Sequence, residues 1–244
     1  MRTILTSIVV FACVFGGALV GIALRSLLPE HHRSTESKEL IRSTMALIGT
    51  LSALVLGLLV ASAKGNYDAK RDQLTAASAN IVLLDRVLSH FGPEALPARQ
   101  AFKAAVSEAV DEIWQQGGRS SARFENAYVA ISSLSAKSDA QRGLLAQANS
   151  LLLELGRSRW LLFARSESAI STPLLVLVVF WLTINFVSFG LFALRNPTIL
   201  VALFVGALSV AGAVYIILEM DSPFKGVLRL SEAPMRAVIE QLGR

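Results

Sequence analysis

Four stretches of this chain run for about 20 residues with almost no charge, the length of helix needed to cross the hydrocarbon core of a bilayer. They are residues 3–24, 45–63, 174–194 and 198–218. The apolar surplus is gathered into these blocks and is not spread with the period of an amphipathic soluble helix or strand. Composition agrees: 53% of the 244 residues are hydrophobic and 17% charged, against about 25% charged in ordinary soluble domains. The chain is therefore expected to be an all-α, polytopic membrane protein. Its first run could also be a cleaved signal peptide. But Met1-Arg2 is a thin basic head, the run is long, and no clear Ala-x-Ala site follows, so it is expected to stay as a span.

The spacing of the runs divides the chain. Residues 1–63 hold the first two spans and a short outer loop, 64–172 a long central segment, 173–218 a hairpin, and 219–244 a tail. Pro173 follows Ser171-Thr172, a cap with proline in the first turn, and Arg195-Asn196-Pro197 makes a turn tight enough to force the last two spans antiparallel. Four spans put both termini and the central segment on one side. Ten basic residues near span ends fall there (Arg2, Lys64, Lys70, Arg71, Arg157, Arg159, Arg165, Lys225, Arg229, Arg236) and five on the other (Arg25, Arg33, Lys38, Arg42, Arg195). Positive charge is retained on the cytoplasmic side, so the central segment and termini are expected in the cytoplasm. The same tendency explains the net charge of +5 without a nucleic-acid partner.

No proline lies between Pro29 and Pro93, so the second span is expected to continue as helix to about residue 90, about 75 Å at 1.5 Å per residue. Tyr67, Leu74, Ala77, Ile81, Leu84, Leu88 and Phe91 recur at three- and four-residue steps, with Lys70 breaking the series. This heptad-like seam requires a partner helix. Phe91-Gly92-Pro93 ends it. Three further amphipathic stretches follow: 98–115 with Phe102, Val106, Ala109 and Ile113, stopping at Gly117-Gly118; a weaker one over 124–134; and 140–163 with Leu144, Ala148, Leu151 and Leu155. The segment reads as three or four packed helices.

Within the second span Gly49, Ala53, Gly57, Ala61 and Gly65 form a ridge of small residues. Such a ridge admits a close neighbour helix; it is either a packing surface or one that faces a pore or another subunit. Gly17 and Gly21 make a shorter ridge. Asn185, near the middle of the third span, needs a partner, and an interhelical hydrogen bond is the expected one. His31-His32 read as a solvated loop, with pH sensing as the sharper alternative, and Asp85-Arg86 and Asp111-Glu112 as ordinary charges of amphipathic helices. Glu219 and Asp221, with Pro223 and Phe224, form a turn at the membrane surface: a cap and anchor, or a regulatory site. Cys13 is the only cysteine, which excludes an intramolecular disulfide and a cysteine-based metal cage. No phosphate loop, His-Glu-x-x-His motif or nucleophile elbow is present. No catalytic residue, cofactor or metal is expected.

Several stretches resemble the bacterial bestrophin-like membrane proteins: Leu27-Leu28-Pro29-Glu30-His31-His32, Gly49 to Lys64 with Asn66-Tyr67-Asp68, Leu83-Leu84-Asp85-Arg86 with Gly92-Pro93-Glu94, and Leu218 to Gly226 with Ala233-Pro234. That family is similar in layout to the bestrophins, pentameric anion channels with four spans, cytoplasmic termini and a helical part between spans two and three. The resemblance implies a homo-oligomer in membrane lipid, at a bacterial inner membrane. Its second span would line the axis, with Leu54, Gly57, Leu58 and Ala61 near the path. Bestrophin necks carry aromatic residues after the glycine; here Leu58 and Leu59 stand there. Glu219 and Asp221 fall where calcium-regulated members carry a larger acidic cluster, so calcium regulation is not expected. The alternative is a membrane-anchored scaffold or sensor whose cytoplasmic helices bind a protein partner.

Overall fold

The computed structural model describes residues 2–27, 35–116, 122–164, 170–193 and 196–243. Eight α-helices account for nearly all of them: α1 (Arg2–Leu27), α2 (Thr35–Phe91), α3 (Leu96–Asp111), α4 (Ala122–Ser132), α5 (Asp139–Ala164), α6 (Thr172–Phe192), α7 (Pro197–Asp221) and α8 (Ala233–Gln241). There is no strand among the described residues. Four of the helices, α1, α2, α6 and α7, are long and apolar enough to cross a membrane, as the four runs predict. The fold is all-α.

The chain forms two compact units. The first comprises Met1–Asn66 and Ser168–Asp221, the second Tyr67–Glu167 and Ser222–Arg244. The single helix α2 contributes to both.

In the first unit α1 and α6 pack backbone to backbone. A Cβ placed on Gly21 would stand 2.1 Å from the Val187 carbonyl oxygen, and one on Gly190 2.1 Å from that of Ala18. No side chain fits at either place. A Cβ on Gly17 would stand 2.9 Å from the Thr183 methyl group. Between lipid-facing helices there is little hydrophobic drive to associate, and close contact of small residues replaces it. The α1–α7 contact is aromatic: Phe204 meets Phe11 and Phe15 edge-on at 5.4 and 5.5 Å. Phe186 of α6 rests on Gly206 of α7. Pro173 sits in the first turn of α6 as expected, but Ser171 forms no side-chain cap; Leu175 donates instead to its backbone carbonyl.

The second unit is built on the seam of α2. Leu74, Ala77, Ile81, Leu84, Leu88 and Phe91 are buried in one core with Phe102, Val106, Ile131, Ala148, Leu152 and Leu155. Lys70 does not interrupt the seam, for it is itself only 4% exposed; a long methylene stem packs much as an apolar residue does. α2 ends at Phe91 because Gly92 takes φ +122°, open only to glycine at low cost, and the 3-10 turn Pro93–Ala95 follows. Gln141 donates to the Phe91 carbonyl at 2.9 Å, satisfying one of the helix-end acceptors. α3 is shorter than the expected 98–115 stretch, passing at Glu112 into a π-helical turn over Glu112–Gln116. Gly117-Gly118 lie outside the described residues. On α5 the buried positions are Ala148, Leu152, Leu155 and Leu162, with Leu144 and Leu151 half-buried at the edge.

The chain after Ser222 belongs to this second unit. Leu230, Met235 and Leu242 enter its core, Lys103 donates to the Leu242 carbonyl at 2.7 Å, and the Trp114 indole donates to that of Leu230 at 2.9 Å.

Candidate functional site: the open face of the second helix

Each four-residue step around an α-helix turns about 40° beyond a full circle. A ridge at that spacing therefore spirals. On α2 the buried face is marked by Ser52, Leu59 and Ala63. Gly49 lies beside this face and is half-buried, while Ala53, Gly57, Ala61 and Gly65 swing progressively away from it and are exposed. Ala61 stands about 180° around the helix from Ser52. Leu54 and Leu58 point the same outward way, 66% and 63% exposed. A Cβ added at Gly57 or Gly65 would meet nothing within 4 Å.

The two glycine ridges are thus used differently. Those of α1 are consumed by α6. That of α2 is open beyond Gly49. Of the most apolar stretch of each spanning helix, 33% is buried in α1, 28% in α6 and 22% in α7, but only 11% in α2.

The other candidate residues fall in both units. Glu219 is buried on α7, with Asp221 at its end. Pro223 and Phe224 belong to the second unit, where Phe224 meets Trp114 edge-on at 5.7 Å. Leu230 donates to the Pro223 carbonyl at 2.7 Å, and Gly226 takes φ +88°. This half of the turn packs against an indole on the π-helical turn.

Asn185 is buried, but among the described residues no hydrogen bond joins it to another helix. Its Nδ2 donates to the Trp181 carbonyl one turn back, at 3.2 Å, and Gly49 opposite offers no side chain. His31-His32 and Arg195 lie outside the described residues. Among the described residues no three His, Cys, Asp or Glu side chains are placed to hold a metal.

Asp85 is more than an ordinary surface charge. It is 8% exposed and accepts two hydrogen bonds from Arg99, at 3.0 and 2.8 Å, plus one from the Gly243 amide at 3.3 Å. The carboxylate holds the Arg99 guanidinium above its ordinary range. Asp85 follows Leu84 and stands four residues after Ile81, which places it on the buried seam; that position was the available signal. Lys137 bonds Glu94 at 2.9 Å and keeps that carboxyl below the usual range.

An all-helical chain with four membrane-length helices, one of which also founds a second helical unit, is a polytopic membrane protein. The sequence profile of the Bestrophin-like domain matches residues 12–235, and the chain belongs to that family. Comparison with curated proteins and with solved structures returned no match.

Proposed function

We propose that this bestrophin-like protein is a homo-oligomeric ion channel, of anions by analogy with the bestrophins, with α2 facing the axis and the second unit and both termini in the cytoplasm. The observation that carries this reading is the open face of α2. In a single protomer a membrane helix that presents Ala53, Leu54, Gly57, Leu58 and Ala61 outward is left for lipid or for another copy. Small residues in that position favour another helix. With copies assembled around α2, Leu54 and Leu58 would form a hydrophobic constriction, which gates by dewetting. We read the protein as a channel and not as an enzyme.

The test is ion flux from liposomes holding the purified protein, with Leu58→Ala and Gly57→Trp beside the parent. Leu58→Ala is expected to raise basal flux and Gly57→Trp to stop it. Flux indistinguishable from protein-free liposomes, or a monomer in mild detergent, overturns the channel reading.

A second reading rests on α5. Leu153 and Trp160, two turns apart on one face, are 65% and 72% exposed. Large apolar side chains so placed suit a docking surface, and a scaffold that binds a protein partner there would lose it on Trp160→Glu with flux unchanged.

A further inference from the structure

Between α2, α6 and α7 of the first unit lies an open cavity of about 690 Å³. That is within the roughly 300–1,000 Å³ that houses a drug-sized molecule. Its polar groups are few and stand at two levels. Arg42 is at the exposed level, and no hydrogen bond or ion pair holds it among the described residues. Gly49 is seven residues further along α2, about 10 Å at 1.5 Å per residue. Facing it from α6 are Asn185 and Ser188, both buried.

Asn185 is 4% exposed, and although its Nδ2 is bonded to Trp181, its Oδ1 accepts no hydrogen bond among the described residues. That oxygen lies 3.8 Å from where a Gly49 Cβ would stand, so the missing side chain leaves it open to the cavity. Ser188 follows at i+3, on the same face, and its hydroxyl likewise has no protein partner among the described residues. Phe189 and Phe192 line the space between the two levels. An acceptor that opens only into an apolar medium is costly without a partner. Here it shares the cavity with a second open polar group and with the exposed cation of Arg42.

We propose that this cavity binds an amphiphilic organic acid. Its anionic group pairs with Arg42, its apolar spacer lies against Phe189 and Phe192, and an O–H or N–H at the far end of that spacer donates to Asn185 Oδ1 while Ser188 completes the polar end. The assignment is independent of whether the protein conducts ions.

The test uses the full-length protein in nanodiscs of zwitterionic lipid, with radiolabelled ω-hydroxydecanoate and decanoate as probes and empty nanodiscs to subtract partition into lipid. Saturable binding is expected, with the hydroxy acid about tenfold tighter than the plain acid, the scale of one buried hydrogen bond. Arg42→Gln weakens both acids about tenfold. Asn185→Leu removes only the preference for the hydroxyl. Should that variant fail to fold, Gly49→Leu, which sets a side chain before the amide from an open position, decides the same point. Equal affinity for the two acids, or no effect of Arg42→Gln, overturns the proposal. So does displacement of both acids alike by phosphatidylglycerol in the nanodisc, the result expected if the cavity takes only a lipid headgroup.

Discussion

At the scale of single residues, the ion pair of Asp85 and Arg99 ties α2 to α3, and the Gly243 amide ties the end of the chain to the same carboxylate. Both side chains are only 12% exposed. Removing one partner leaves the other charge largely desolvated, a larger loss than the net worth of the pair. Asp85→Ala is expected to lower stability by about 3 kcal/mol, measured as a fall in the thermal unfolding midpoint in detergent. Leu88→Ala, a pure packing loss on the same seam, is expected to cost about 2–5 kcal/mol. Glu94 and Lys137 form an exposed pair of a different kind. Because the carboxyl is held below its ordinary range, whatever the pair contributes is fully present above that range and is lost as pH falls through the depressed value. Carboxyl titration by NMR is expected to show Glu94 low in the parent and moved up toward the ordinary range in Lys137→Met, where the backbone hydrogen bond still lowers it. An unchanged titration in that variant would show that the lysine is not the cause. The place of Asp85 on the seam of α2 was legible in the sequence, but its partners were not, since they come from α3 and the chain end.

At the scale of helices, the two glycine ridges predict opposite responses to the same change. Gly21→Ala must drive α1 away from α6, because the new Cβ would overlap the Val187 backbone. Overpacking of this kind costs about 1–3 kcal/mol, and the variant is expected to unfold earlier than the parent. Gly57→Ala meets no neighbour in the protomer and replaces glycine within a helix, a change worth up to about 1 kcal/mol in favour of the helix. Its protomer should be no less stable, while its assembly, followed by light scattering in detergent, should weaken if that face seats another copy. The spacing of small residues is identical in kind in the two helices. Which ridge is consumed inside the protomer could not be read from it, because a ridge carries no mark of its partner. The seam of α2 was legible almost residue by residue, since burial on a long helix follows period alone. The end of α3 was not, because its final turn widens to a π-helix where Trp114 reaches Leu230 and Phe224, contacts from a segment more than a hundred residues away in sequence.

At the scale of the whole molecule, the decisive number is the count of copies. A chain whose apolar spanning stretch is 11% buried in α2, against 22–33% in α1, α6 and α7, is expected to elute in mild detergent as an oligomer, and Gly57→Trp to shift that elution toward the protomer. An unshifted profile would place the oligomer contact elsewhere. The amino-acid sequence by itself determined the class of protein, the four spans, the long second helix with its end at Gly92, and the family, because hydropathy, helical period and turn chemistry are properties of adjacent residues. Only the tertiary structure decided that Gly17, Gly21 and Gly190 are spent in one helix crossing, that the α2 ridge stays open, that the chain beyond Ser222 completes the second core, and that Asn185 faces Gly49 across a cavity with Arg42 at its mouth. Each of these is a choice of partner. Partners distant in sequence are selected by shape and desolvation in the folded chain, where local pattern has no say.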